Sequence, residues 1–145
     1  CTQVLDLVPG DASGEQPPTR GGQGGSKGVA AVTSSCCHHV MQLAATGHTD
    51  HCARLVDLVS GRFVGTYPDH PDVVSSVDID PAKGYTLVTA CHDGCIRGFD
   101  LRNGRCFETL RMHQRKYSEG VHCVHHAQRL LATAGADGHI GVLLA

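Results

Sequence analysis

From residue 29 onward the apolar positions come in short runs: VAAVTS, VMQLAAT, VVSSVDID, YTLVTA and LLATAG. Gly, Asp, Asn or Pro separates one run from the next, and no segment longer than ten residues shows helical periodicity. Such β-prone runs, with a turn signal about every ten residues, predict many short strands and no helix. The start of the chain differs. Residues 1–7 (CTQVLDL) read as the end of a strand. Residues 8–28 are rich in Gly, Pro and Ser and almost free of apolar side chains. They bury too little surface to offset their ordering entropy, which predicts a disordered loop. The fold class expected is all-β.

The runs repeat. Asp50, Asp93 and Asp137 lie 43 and 44 residues apart, and Thr46, Thr89 and Thr133 each stand four residues before one of them. His70 and His113 are again 43 apart, and Asp57 and Asp100 follow the first two turn aspartates by seven. The segments LAATGHTDHCARLVDLVSGR, LVTACHDGCIRGFDLRNGR and LATAGADGHIGVLLA align without gaps. A fixed period of this size marks repeated supersecondary units.

A 43-residue period, a hairpin turn carrying Asp and an apolar-Asp ending to the following strand resemble the WD-repeat β-propeller. The resemblance implies blades of four antiparallel strands. It also implies an Asp in the second hairpin turn that bonds to a His before the first strand and to a Ser or Thr on the second, with a Trp on the third completing the group. By position, one blade carries His70, Thr89, Asp93 and Phe99, and the next His113, Thr133, Asp137 and Leu143. The earlier blade carries Thr46, Asp50 and Val56, with no matching histidine. All three Trp positions hold another residue, so the indole hydrogen bond is missing. The organisation expected is an upstream strand (1–7), the loop (8–28), blades at 29–67 and 68–110, and a partial blade at 111–145. The fourth strand of that last blade would come from outside this chain, as a piece of a longer one.

The C-terminal part, with Arg105-Cys106, the His-x-Arg-Lys-aromatic-x-Glu loop from His113 to Glu119 and the Ala-Gly-Ala-Asp turn at 134–137, resembles the end of the striatin family. The stretch DIDPAKGYTLVTACHD fits it too, and the resemblance covers residues 41–145. It implies a protein-interaction scaffold that holds protein phosphatase 2A and kinases of the germinal-centre class together. Calmodulin and caveolin would bind only upstream parts of the parent protein. It also implies a cytoplasmic protein, associated with membranes through the parent. A WD-repeat adaptor of another family is one alternative, which a heptad coiled coil upstream would separate; a metal-binding module built on the Cys and His residues is the other, which elemental analysis of the purified protein would decide.

Composition narrows this further. The net charge of −2 gives no general reason to expect nucleic acid or an anionic membrane surface as partner. No apolar run is long enough to insert in a bilayer. With 4% aromatics and no Trp, a core must rest on Val, Leu, Ile and Ala. Eight cysteines at irregular spacings, without a visible secretory leader, fit a reduced compartment.

The eight Cys and eleven His raise the question of metal. Cys91 and Cys95 flank the Asp93-Gly94 turn and could face each other across it. A zinc site needs four ligands, usually in two separated pairs, and no second pair stands at a fixed distance. Cys36-Cys37-His38-His39 is expected between two strands, and four neighbours in a row cannot close on one metal. His122 and His126 could share a strand face. No metal and no cofactor is expected. Nor is an enzyme, since no nucleophile stands beside a base and the glycine-rich stretch at 21–25 lacks the strand and helix of a phosphate loop. The dense basic patch Arg111, Arg115 and Lys116 with Tyr117 reads as a docking loop for an acidic partner segment, on the rim that carries the Asp turns.

Overall fold

The computed structural model describes residues 30–144. The expected strand at 1–7 and loop at 8–28 lie outside the described residues. Eleven strands follow one another: β1 (Val32–His38), β2 (Leu43–His48), β3 (Ala53–Asp57), β4 (Arg62–Tyr67), β5 (Val74–Ile79), β6 (Thr86–Cys91), β7 (Cys95–Asp100), β8 (Arg105–Arg111), β9 (Val121–Ala127), β10 (Leu130–Gly135) and β11 (Ile140–Leu144). They form three antiparallel sheets in sequence order, β1 to β4, β5 to β8 and β9 to β11. This is part of a WD-repeat β-propeller, two blades of four strands and one of three.

Strand alternation explains why the sheets stack. On β6, Leu87 faces a cluster with Tyr67, Val74 and Phe99, while Val88 and Ala90 face Ile96, Val124 and Leu131. The middle sheet is therefore buried on both faces, and its second strand reads as a continuous apolar run. The inner strands are stitched side by side. Ser34 Oγ accepts from the Val77 amide at 3.3 Å, and Ser76 Oγ accepts from the Val124 amide at 3.2 Å. Each serine satisfies a neighbouring inner strand that no ladder reaches.

The outer strand β8 alternates toward solvent, with Phe107 exposed. On β11, Ile140, Val142 and Leu144 are also exposed, and no described strand pairs with its outer edge.

One expectation is corrected here. Cys36, Cys37 and His38 do not lie between strands but on β1, paired with Ala45, Ala44 and Leu43. Alternation turns Cys36 half inward and leaves Cys37 exposed, so the run forms part of a ladder and cannot converge on an ion. Only His39 stands in the turn.

Candidate functional site: the turn-aspartate rim and its loop

The turns after β2, β6 and β10 and the connections β4–β5 and β8–β9 share one rim. In the last blade His113 is the hub. Its Nδ1 meets Asp137 Oδ1 at 3.0 Å and its Nε2 meets Thr133 Oγ1 at 2.8 Å. The histidine bridges, so the expected direct Asp-to-Thr bond is replaced by a chain through the ring. Asp137 also accepts from the amides of Gln114 and His139, each at 3.0 Å. Burial pushes its carboxyl up, but these donors and His113 outweigh burial and hold it well below the usual carboxylate range.

In the middle blade His70 Nε2 meets Thr89 Oγ1 at 2.8 Å, yet His70 Nδ1 has no partner among the described residues. The expected bond from Asp93 to His70 is absent. Asp93 Oδ2 instead accepts from Arg97 Nη2 at 2.6 Å, and its Oδ1 accepts from the Cys95 amide at 2.9 Å. Burial pushes the Asp93 carboxyl up, and the Arg97 bond, the Cys95 amide and the Arg97 charge bring it below its ordinary value. The first blade does the same with Asp50 and Arg54, Nη1 lying 3.2 Å from Oδ1. There Thr46 Oγ1 meets His48 Nε2 at 2.8 Å, a histidine from the same strand in place of the missing loop histidine.

Two residue choices separate the blades. Four residues after each turn aspartate stand Arg54, Arg97 and Gly141. An arginine there claims the carboxylate; a glycine leaves it to histidine. The residue two before each aspartate is His48, Cys91 or Gly135. A Cβ on Gly135 would fall 2.3 Å from the His113 ring. Cys91 has that Cβ, so the His70 ring cannot take the same seat. Arg54 and Arg97 were missed from sequence, although their four-residue offset from the aspartates repeats at the same period of 43.

Phe99, at the Trp position, is fully buried against Tyr67 and His70, with ring centroids 5.1 and 5.5 Å away. It keeps the packing of a large ring without the indole donor. Val56 is buried at the same position of the first blade, and Leu143 packs partly buried in the last.

Among the described residues no three His, Cys, Asp or Glu side chains gather as a metal site, and all seven cysteines are free. Burial pushes the Cys91 thiol up to about 11, with the Asp93 charge acting in the same direction. Among the described residues neither nitrogen of the buried His126 ring has a partner, and His122 lies 3.4 Å from Glu119. A thiol reagent added to the folded protein is expected to label the exposed Cys37 and Cys123 at least about tenfold faster than Cys91 and Cys95. Equal labelling of Cys91 before unfolding, read by peptide mass, would contradict this burial.

The loop at 112–120 between β8 and β9 outlasts its counterpart at 68–73 between β4 and β5. Its tip is a two-residue turn closed by Lys116 N to Glu119 O (2.7 Å) and Glu119 N to Lys116 O (2.9 Å). The two central residues are Tyr117 and Ser118, with φ of 52° and 67°. Such turns ordinarily take Asn or Gly, so two side chains are held in a disfavoured backbone region. Tyr117 is 88% exposed, and Lys116 Nζ lies 5.4 Å from its ring centroid. Arg111, Gln114, Arg115, Lys116, Asp137 and His139 line a cleft of about 640 Å³ beside it. The patch is less free than its sequence suggests. Arg115 is paired with Asp72 at 2.8 Å, one repeat earlier, and Arg111 Nη1 reaches the Asp93 carbonyl at 3.4 Å. That leaves Lys116 and Tyr117 as the outward pair.

Repeating four-stranded blades around a histidine–threonine–aspartate rim define a class, and the comparisons agree with it. The family profile described as "WD domain, G-beta repeat" matches residues 61–100 and 104–142. Each match runs from the outer strand of one blade through the three inner strands of the next, β4–β7 and β8–β11. The chain belongs to the WD-repeat family. Within it the chain is a striatin-like member. It is 36% identical over 108 residues to "Striatin homolog" of Dictyostelium discoideum, covering 73% of this chain and 13% of that protein. It is 33% identical over 115 residues to "Striatin-4" of Mus musculus (78% and 15%) and 29% identical over 118 residues to "Striatin" of the same organism (75% and 15%). The chain thus spans 13–15% of the length of these relatives.

Proposed function

We propose that this chain is the rim-bearing part of a striatin-like scaffold that assembles protein phosphatase 2A with kinases of the germinal-centre class. The phosphatase and kinase partners rest on the family resemblance, as do a cytoplasmic location and the calmodulin and caveolin contacts through upstream parts of the parent. What supports a docking role for this chain is the loop tip, where Lys116 and Tyr117 stand out from a strained turn on the propeller rim. An exposed aromatic beside cations suits an acidic, partly apolar segment.

The test is Lys116→Glu with Tyr117→Ser in the full-length protein, which leaves the Arg115–Asp72 pair in place. Capture of phosphatase and kinase subunits should fall about tenfold or more, and the remainder should depend less on salt. The melting temperature should move by no more than about 1–2 °C, since both side chains are exposed. Unchanged capture of every partner that needs the propeller would reduce the loop to a solvated connection.

A further inference from the structure

The loop that presents Tyr117 also presents a hydroxyl in an unusual setting. Ser118 is exposed and follows Arg115 by three residues and Lys116 by two. This is the one pair of adjacent cations among the described residues, so no other described hydroxyl has the same setting. We infer that Ser118 is a phosphorylation site for a serine kinase with an acidic peptide groove, and that the phosphate switches off the docking patch around it. The switch rests on the docking reading above; the modification site does not.

A kinase that selects basic substrates does so with carboxylates that meet cations a few residues before the hydroxyl. It must also hold the peptide extended. Here the tip is fastened by the two backbone bonds between Lys116 and Glu119 and by Arg115 Nη2 donating to the Ser118 carbonyl at 3.4 Å. Those bonds hold two side-chain-bearing residues at positive φ, so opening the turn releases strain as it breaks them. None of the turn's central residues is packed in a core, so local opening leaves the blades intact.

In the reaction Ser118 Oγ forms a bond to the γ-phosphorus of ATP as the bond to the ADP oxygen breaks. The hydroxyl proton goes to the kinase's carboxylate base. The product carries about −1.5 to −2 charge. Arg115 and Lys116 are the cations nearest to it along the chain, and Arg111 lines the same cleft. Phosphate oxygens would pair with the first two, drawing Arg115 from Asp72 and Lys116 from any acidic partner.

The experiment treats the full-length protein with ATP and cyclic-AMP-dependent protein kinase, followed by peptide mass mapping and partner capture. Phosphate should appear on Ser118, and Lys116→Ala should slow its incorporation by about tenfold. No phosphate at Ser118, or the same rate in Lys116→Ala, would overturn the site. With the site phosphorylated, partner capture should fall as it does for the Lys116→Glu, Tyr117→Ser variant. Capture untouched by phosphate but lost in that variant would overturn the switch. Capture untouched by both would count against the docking reading, while the phosphate mapping would still decide the site.

Discussion

Asp93→Ala is expected to cost about 3–5 kcal/mol of stability in the full-length protein, because it leaves the Arg97 guanidinium buried without its counter-charge. The side chains of Arg97 and Asp93 are only 10% and 13% exposed, so solvent screens little of this loss. Arg97 Nη1 already lacks a partner among the described residues, and the Cys95 amide would lose its acceptor as well. The family pattern would assign the damage to His70 and Thr89 instead, but those two are bonded to each other and not to Asp93. The two explanations separate in a double variant. Asp93→Asn retains an oxygen for the Cys95 amide, and Arg97→Met retains most of the packed stem without charge. Together they should recover all but about 1–2 kcal/mol, since removing both charges removes the desolvation cost with the attraction. Chemical denaturation of the parent, Asp93→Ala and the double variant gives the answer. A double variant no better than Asp93→Ala would show that Arg97 is not the partner that matters.

Acidification should destabilise the protein before its carboxylates begin to protonate, and His70 should carry much of the effect. Burial, reinforced by the charge of Arg97, pushes the His70 ring down to about 4. The unfolded chain takes up that proton near the ordinary 6.5, so between the two values it binds more protons than the folded chain. Stability therefore falls as pH drops from about 6.5 to about 4, by roughly 3 kcal/mol from this group, and levels off below. His48 is lowered as well, again by burial first, and adds in the same direction. Asp93 and Asp137 act in a lower window. Their folded values are depressed, so their contribution is complete above about 4 and is lost only as pH falls further. His70→Gln keeps a group that can meet the Thr89 hydroxyl but cannot titrate. Its stability should change much less between pH 7 and 4.5 than the parent's, measured by urea unfolding. An equally steep loss in the variant would mean that His70 is protonated in the folded state after all.

The strands after residue 40 and the turn aspartates were legible because two independent signals coincide there: apolar runs of strand length and a 43-residue period. β1 was placed too early and too short, since Cys and His carry weak strand preference and the alternation of Cys36 and Cys37 shows only against a partner strand. The histidine, threonine and aspartate of each rim were readable as positions, but their bonding was not. Bonding turns on Arg54, Arg97 and Gly141, which repeat at the period but resemble ordinary surface residues until Asp93 is seen to choose arginine over histidine. The Arg115–Asp72 pair spans 43 residues between two loops. Periodicity aligns those loops, but only their paths in space bring the two side chains together. The positive φ at Tyr117 and Ser118 had no sequence signal, because neither residue type favours that backbone region.

The central claim is that the rim loop of this striatin-like propeller meets a partner. Amide hydrogen exchange on the full-length protein, alone and in a captured phosphatase–kinase assembly, tests it most directly. The loop at 114–120 is tied by few bonds and should exchange fast in the free protein and at least about tenfold slower in the assembly, with β6 and β10 unchanged. Exchange in 114–120 that stays as fast in the assembly, while another face of the propeller slows, would contradict the account.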